Sequence, residues 1–137
     1  MISAVIWHAR RLAICAVLAT WALPLSAQEQ AEAEGGSLRF LDKLTSATGD
    51  VTLSRGQVAQ FGRMTVRLDS CRYPVANPAA DATAHLTILD STTETTLFKG
   101  WMIASSPALS ALDHPRYDVW VLSCVLPQGA TAPAEGE

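Results

Sequence analysis

The sequence predicts an all-β fold, a small antiparallel sandwich or partly open barrel with one short helix, stapled by a disulfide. Three observations carry this. Between residues 37 and 126 apolar side chains recur mostly at every second position, the period of a strand with one buried face. Six or seven such short runs, punctuated by Gly, Pro, Asn and Asp, fill the segment and leave room for little helix. Two cysteines, Cys71 and Cys124, lie in or beside runs far apart in the chain. A length of 137 residues is about one domain.

The elements follow in order. Leu38 and Phe40 alternate with Arg39 and Leu41, and the turn signal Ser46-Ala47-Thr48-Gly49-Asp50 leads into Val51-Thr52-Leu53, which predicts a hairpin. Gly56 and Gly62 bracket a short strand, Gln57–Phe61. Met64, Val66 and Leu68 then face one way and Thr65, Arg67 and Asp69 the other, a half-buried strand running to Cys71. Tyr73-Pro74 and Asn77-Pro78 end it in an extended loop, because the residue before proline is pushed out of the α region. Ala82, Ala84, Leu86 and Ile88 alternate up to the turn Asp90-Ser91-Thr92-Thr93, and Thr95 to Ile103 returns as the second arm of a hairpin, with Gly100 suggesting a bulge. Ser106-Pro107 reads as an N-cap and first helical residue, giving a turn or two of helix to Leu112 before Pro115. Tyr117 to Val125 is β-branched and aromatic enough for a strand buried on both sides.

Residues 1–27 predict a cleavable signal peptide. His8, Arg10 and Arg11 precede an uncharged run from Leu12 to Leu23, Pro24 breaks it, and small Ala27 occupies the position before the cut. That run is well short of the ~20 apolar residues needed to span a bilayer, so no stable transmembrane anchor is expected after cleavage. Cys15 lies mid-run behind Ile14, a poor setting for acylation. The expected location is the periplasm. Residues 28–36 (QEQAEAEGG) read as a flexible acidic linker, 37–126 as the β domain and 127–137 as a disordered tail.

Without Arg10 and Arg11 the chain is acidic, yet residues 37–126 hold equal numbers of basic and acidic side chains. A neutral domain has no phosphate-binding footprint, which argues against a nucleic-acid partner. Export would leave Cys71 and Cys124 with one possible connectivity in an oxidising compartment, closing a 53-residue loop. A pair of buried free thiols or half of a metal site is the alternative. No CxxC pair occurs, and His85 and His114 are not at zinc-ligand spacing from either cysteine, so neither metal nor cofactor is expected.

Several segments together resemble the alphaproteobacterial domain of unknown function 2155. They are Leu41-Asp42-Lys43-Leu44-Thr45, Phe61-Gly62-Arg63, Cys71-Arg72-Tyr73-Pro74 and the long stretch GWM-x-ASSPALSALDHP-x-YDVWVL-x-C from Gly100 to Cys124. The resemblance covers nearly all of residues 41–125. It implies an exported protein and supplies no catalytic residue. Genes of such proteins often lie near one for an accessory subunit of the respiratory NADH dehydrogenase, which implies a partner on the periplasmic side of that chain or elsewhere in the envelope.

Catalytic constellations are thin. A serine triad would have to use His85 or His114, and His114 between Asp113 and Pro115 is accounted for by capping. No G-x-S-x-G elbow, Gly-rich phosphate loop or His–Glu zinc motif occurs, and Asp113 with Asp118 is the densest carboxylate pair. The expectation is a protein that is not an enzyme. The densest recognition chemistry is Trp101, Met102, Tyr117 and Trp120 with Arg116, since aromatics and Arg anchor interfaces; the competing role for the aromatics is core filling. Three functions follow in order of preference. The first is a binding or accessory module that docks on a periplasmic or membrane-associated protein through the Trp101–Tyr117 region. The second is a small periplasmic hydrolase or cell-wall-active enzyme using His114 and Asp113, and the third a structural envelope protein.

Overall fold

The structure, a computed structural model, describes residues 27–129. The signal-peptide reading and most of the expected disordered tail lie outside the described residues. Eight strands run in order: β1 (Gln30–Glu32), β2 (Gly35–Asp42), β3 (Ala47–Ser54), β4 (Val58–Phe61), β5 (Met64–Pro74), β6 (Thr83–Asp90), β7 (Thr96–Ile103) and β8 (Tyr117–Cys124). They form two antiparallel sheets. The larger has the order β5-β6-β7, with β1 and β4 pairing end to end along the other edge of β5; the smaller is β3-β2-β8. The two pack face to face as an open sandwich. Leu38, Phe40, Leu53, Val119 and Val121 from the small sheet meet Met64, Val66, Leu68, Leu86, Ile88 and Met102 from the large one, all buried.

Both cysteines reach this interior by a change of parity. In β5 the buried positions are Met64, Val66 and Leu68, then Ser70, Cys71 and Tyr73; in β8 they are Tyr117, Val119 and Val121, then Cys124. A strict period of two would aim Cys71 and Cys124 at solvent. A bulge at Asp69, where β5 pairs β6, and a second beside Leu122, where β2 pairs β8, each insert one residue and turn the cysteine two residues on inward. The Cys71–Cys124 disulfide then joins the large sheet to the small one, with Cα atoms 5.7 Å apart.

The expected linker at 28–36 is instead part of the fold. Ala31 and Ala33 alternate with Glu32 and Glu34, and this short period-two run pairs β1 with the end of β5. Ala33 is buried and its amide donates to Cys71 O at 2.8 Å. The chain crosses from the large sheet to the small at buried Gly35 and Gly36; a Cβ on Gly36 would stand 2.9 Å from Cys71 Sγ, so only glycine lets β2 pass over the disulfide.

Three other expectations shift. The first hairpin turns at 43–46, not 46–50, because Asp42 Oδ1 accepts the Leu44 amide at 3.0 Å, Thr45 Oγ1 accepts that of Ala47 at 3.3 Å and Ser46 takes φ 60°. Gly49 and Asp50 are thereby drawn into β3, where Asp50 forms a two-point ion pair with cross-strand Arg39 at 2.7 Å. The expected helix shrinks to one 3-10 turn, Pro107–Leu109, and the Ser106 side chain makes no cap bond. Finally, β8 is an edge strand buried on one face and half-buried on the other.

Replacing both Cys71 and Cys124 by Ala should cost roughly 4 kcal/mol for a loop of this length, a fall of roughly 15–30 °C in Tm by circular dichroism. Gly36→Ala should also lower Tm, whereas Gly49→Ala, whose methyl meets nothing within 4 Å, should change it little.

Candidate functional site

The five residues singled out as partner contacts are not brought together. Met102 and Tyr117 sit on the inward parity of β7 and β8, 1% and 4% exposed, and belong to the core. Tyr117 packs edge-on to Phe61 and over Gly62, whose φ of +57° and missing side chain make room for the ring. Trp120 faces outward from the small sheet, beside Arg39 in register, so it does not fill the core. Trp101 faces outward from the large sheet, on the opposite side of the molecule, at 37% exposure.

Arg116 belongs to a corner where the loop after β7 meets the first hairpin. Its Nη2 donates to Asp42 Oδ2 at 2.8 Å, its Nε lies 3.2 Å from both carboxylate oxygens, and its Cζ is 5.1 Å from the centroid of Tyr117. These bonds from Arg116 hold the largely buried Asp42 carboxyl down to about 2, against the opposing effect of burial and with help from the Leu44 and Thr45 amides. His114, stacked on Tyr117, accepts at Nδ1 from the Arg116 and Tyr117 amides at 3.1 and 3.0 Å. Its proton therefore sits on Nε2, and Nδ1 has no hydrogen for a carboxylate to orient as in a serine triad. Lys43 Nζ closes the corner on His114 O at 2.7 Å. The chemistry here is that of a buttress.

The outer face of the large sheet is different. Arg72, His85 and Trp101 come from β5, β6 and β7, with His85 and Trp101 directly opposed in register. The Arg72 guanidinium lies over the indole, Cζ 4.5 Å from the ring centroid, and His85 meets the same ring edge-on at 5.3 Å. His85 is itself fixed: its Nδ1–H donates to Asp69 Oδ2 at 3.0 Å, an oxygen that also accepts from Thr87 Oγ1 at 2.6 Å, while Arg67 Nε donates to Oδ1 at 2.6 Å. Partial burial works to raise the Asp69 carboxyl, but the bonds from Thr87, Arg67 and His85 outweigh it and hold the group below its ordinary value. The bulge that turns Cys71 inward is also what turns Arg72 onto this outer face. Arg72, His85 and Asp69 were absent from the sequence-based set; cross-strand pairing to Trp101 is the signal that would have found them. Among the described residues no group of three or more His, Cys, Asp or Glu side chains is placed to hold a metal ion.

A family model described as an uncharacterized protein conserved in bacteria, DUF2155, matches residues 36–124. An uncharacterized protein of Rickettsia prowazekii (strain Madrid E) is 29% identical over 92 residues, 65% of this chain and 59% of that protein, so the chain spans less than two thirds of that relative. No solved structure matches.

The Asp42–Arg116 pair predicts a pH dependence. A depressed carboxyl contributes stability that is complete above its ordinary value of 3.8 and is lost as pH falls toward about 2. Wild type should melt several degrees above Arg116→Ala at pH 6, and the gap should close between about pH 4 and pH 2; a gap independent of pH would contradict this role.

Proposed function

We propose, for a chain that belongs to the DUF2155 family of bacterial proteins, that it is an exported, non-catalytic binding module docking on a periplasmic or membrane-associated protein through the outer face of its large sheet. The observation that carries this reading is Trp101. A tryptophan on a solvent-facing β position contributes little to the core, yet Arg72 and His85 hold this one from two sides and a hydrogen-bonded Asp69 holds His85. Fixing an exposed aromatic in advance removes part of the ordering cost of association, and Trp with Arg is the pairing most typical of binding hot spots.

Export is supported by the tripartite N-terminal segment and by a buried inter-sheet disulfide, a bond that persists in oxidising compartments. Among the described residues no helix is long and apolar enough to cross a membrane, which fits attachment through a partner. The hydrolase alternative draws no support from His114, whose Nδ1 is occupied by two amides.

A photoreactive amino acid placed at position 101 in living cells should yield a discrete cross-linked adduct with another protein, while the same group at position 120, on the opposite outer face, should not. Trp101→Ala should leave Tm within about 2 °C, as expected for a surface position. Adducts at neither site, or equally at both, would contradict the proposed face.

A further inference from the structure

Resting on the docking face just proposed, we infer that Arg72 is a preorganised receptor for a carboxylate and that the partner therefore presents an acidic segment to Trp101. A guanidinium held over an indole by a cation–π contact is restrained while its N–H donors stay available, and its fork matches a carboxylate with two parallel bonds. Arg72 lies over Trp101 in this way, Cζ 4.5 Å from the ring centroid, and its side chain is exposed. Among the described residues it makes no salt bridge and donates no side-chain hydrogen bond. The carboxylates nearest to it are engaged by other groups. Glu32, opposite it in register, accepts from Ser70 Oγ at 2.5 Å and stands 3.4 Å from Arg55, and Asp69 is bonded by Thr87, Arg67 and His85.

Lys99 adds a second cation to the same face. It lies two residues before Trp101 on β7, is exposed, and has no ion pair among the described residues. Arg67, across β6 from Lys99, is the remaining base of the face and is paired with Asp69. Arg72 lies near enough to Glu32 to help hold that carboxyl below its ordinary value, yet among the described residues neither Arg72 nor Lys99 makes an ion pair, so a fixed aromatic sits between two cations open to carboxylates flanking an apolar side chain.

The Trp120→Phe variant leaves Trp101 as the single tryptophan of residues 28–137, so its emission reports on this face directly. Titration with poly-L-glutamate at low salt should change that emission saturably, and raising the ionic strength should weaken the response. Arg72→Lys keeps the charge and loses the fork, and should weaken binding roughly tenfold, while Lys99→Gln should weaken it less. Absence of a saturable change, or equal binding by Arg72→Lys with an unchanged Tm, would overturn the inference. A response confined to phosphatidylglycerol vesicles would also overturn it, assigning the fork to lipid phosphate. A discrete protein adduct at position 101 without poly-L-glutamate binding would leave the docking face standing and remove only its acidic partner.

Discussion

The covalent bond between the two sheets is the constraint on which the other features depend. Sheets of three and five strands share a thin core, and the strands facing each other across the seam, β7 and β8, are both ends of their sheets. The Cys71–Cys124 bond fixes the packing of β5 against β8 near that side. Making it requires two bulges, one in each strand, and one glycine, Gly36, where β2 crosses the sulfur. Three local irregularities, each costly in a regular sheet, are thereby accounted for by a single bond. Its closed loop of 53 residues is long enough for the bond to contribute a large part of the stability of a domain this size.

The same irregularities shape the surface. The bulge that sends Cys71 inward sends Arg72 outward, over Trp101, which His85 and through it Asp69 hold from the other side. The disulfide and the proposed binding face are therefore built by one deviation in β5. At the far end of the small sheet, Asp42, Arg116, His114 and Lys43 tie the start of β8 to the first hairpin turn, so the long connection from β7 is anchored at its return. The two outer aromatics differ in kind: Trp120 lies beside Arg39, whose charge is already paired with Asp50, whereas Trp101 lies beside cations that make no ion pair among the described residues.

Much of the fold is legible in the alternation of side chains. The strands at β5, β6, β7 and β8, the β6–β7 hairpin and the all-β class follow from period two and turn chemistry, while the choice of a sandwich over a partly open barrel does not. The parity break is legible too, since Met64, Val66 and Leu68 predict a core position at 70 while the cysteine stands at 71. Acidic composition hid β1: glutamates at 32 and 34 read as a linker, although the alanines between them have strand period and are small enough to lie beside the disulfide. Gly49-Asp50 misplaced the first turn because Asp50 is held in the strand by Arg39, a cross-strand partner that local turn preference does not include. The site was half legible. Trp101 stands out as a residue type, but Arg72 and His85 join it only through sheet register, and Met102, next to Trp101, and Tyr117, three residues before Trp120, point the other way because strand parity alternates.

The proposed export and the joining of the sheets through Cys71 and Cys124 are tested together by the intact mass of the protein recovered from the periplasmic fraction, alkylated with and without prior reduction. The expected species lacks the N-terminal segment up to about Ala27, is two hydrogens lighter than its reduced form and takes up two alkyl groups only after reduction. A mass that retains residues 1–27, or two thiols alkylated without reductant, would contradict this expectation.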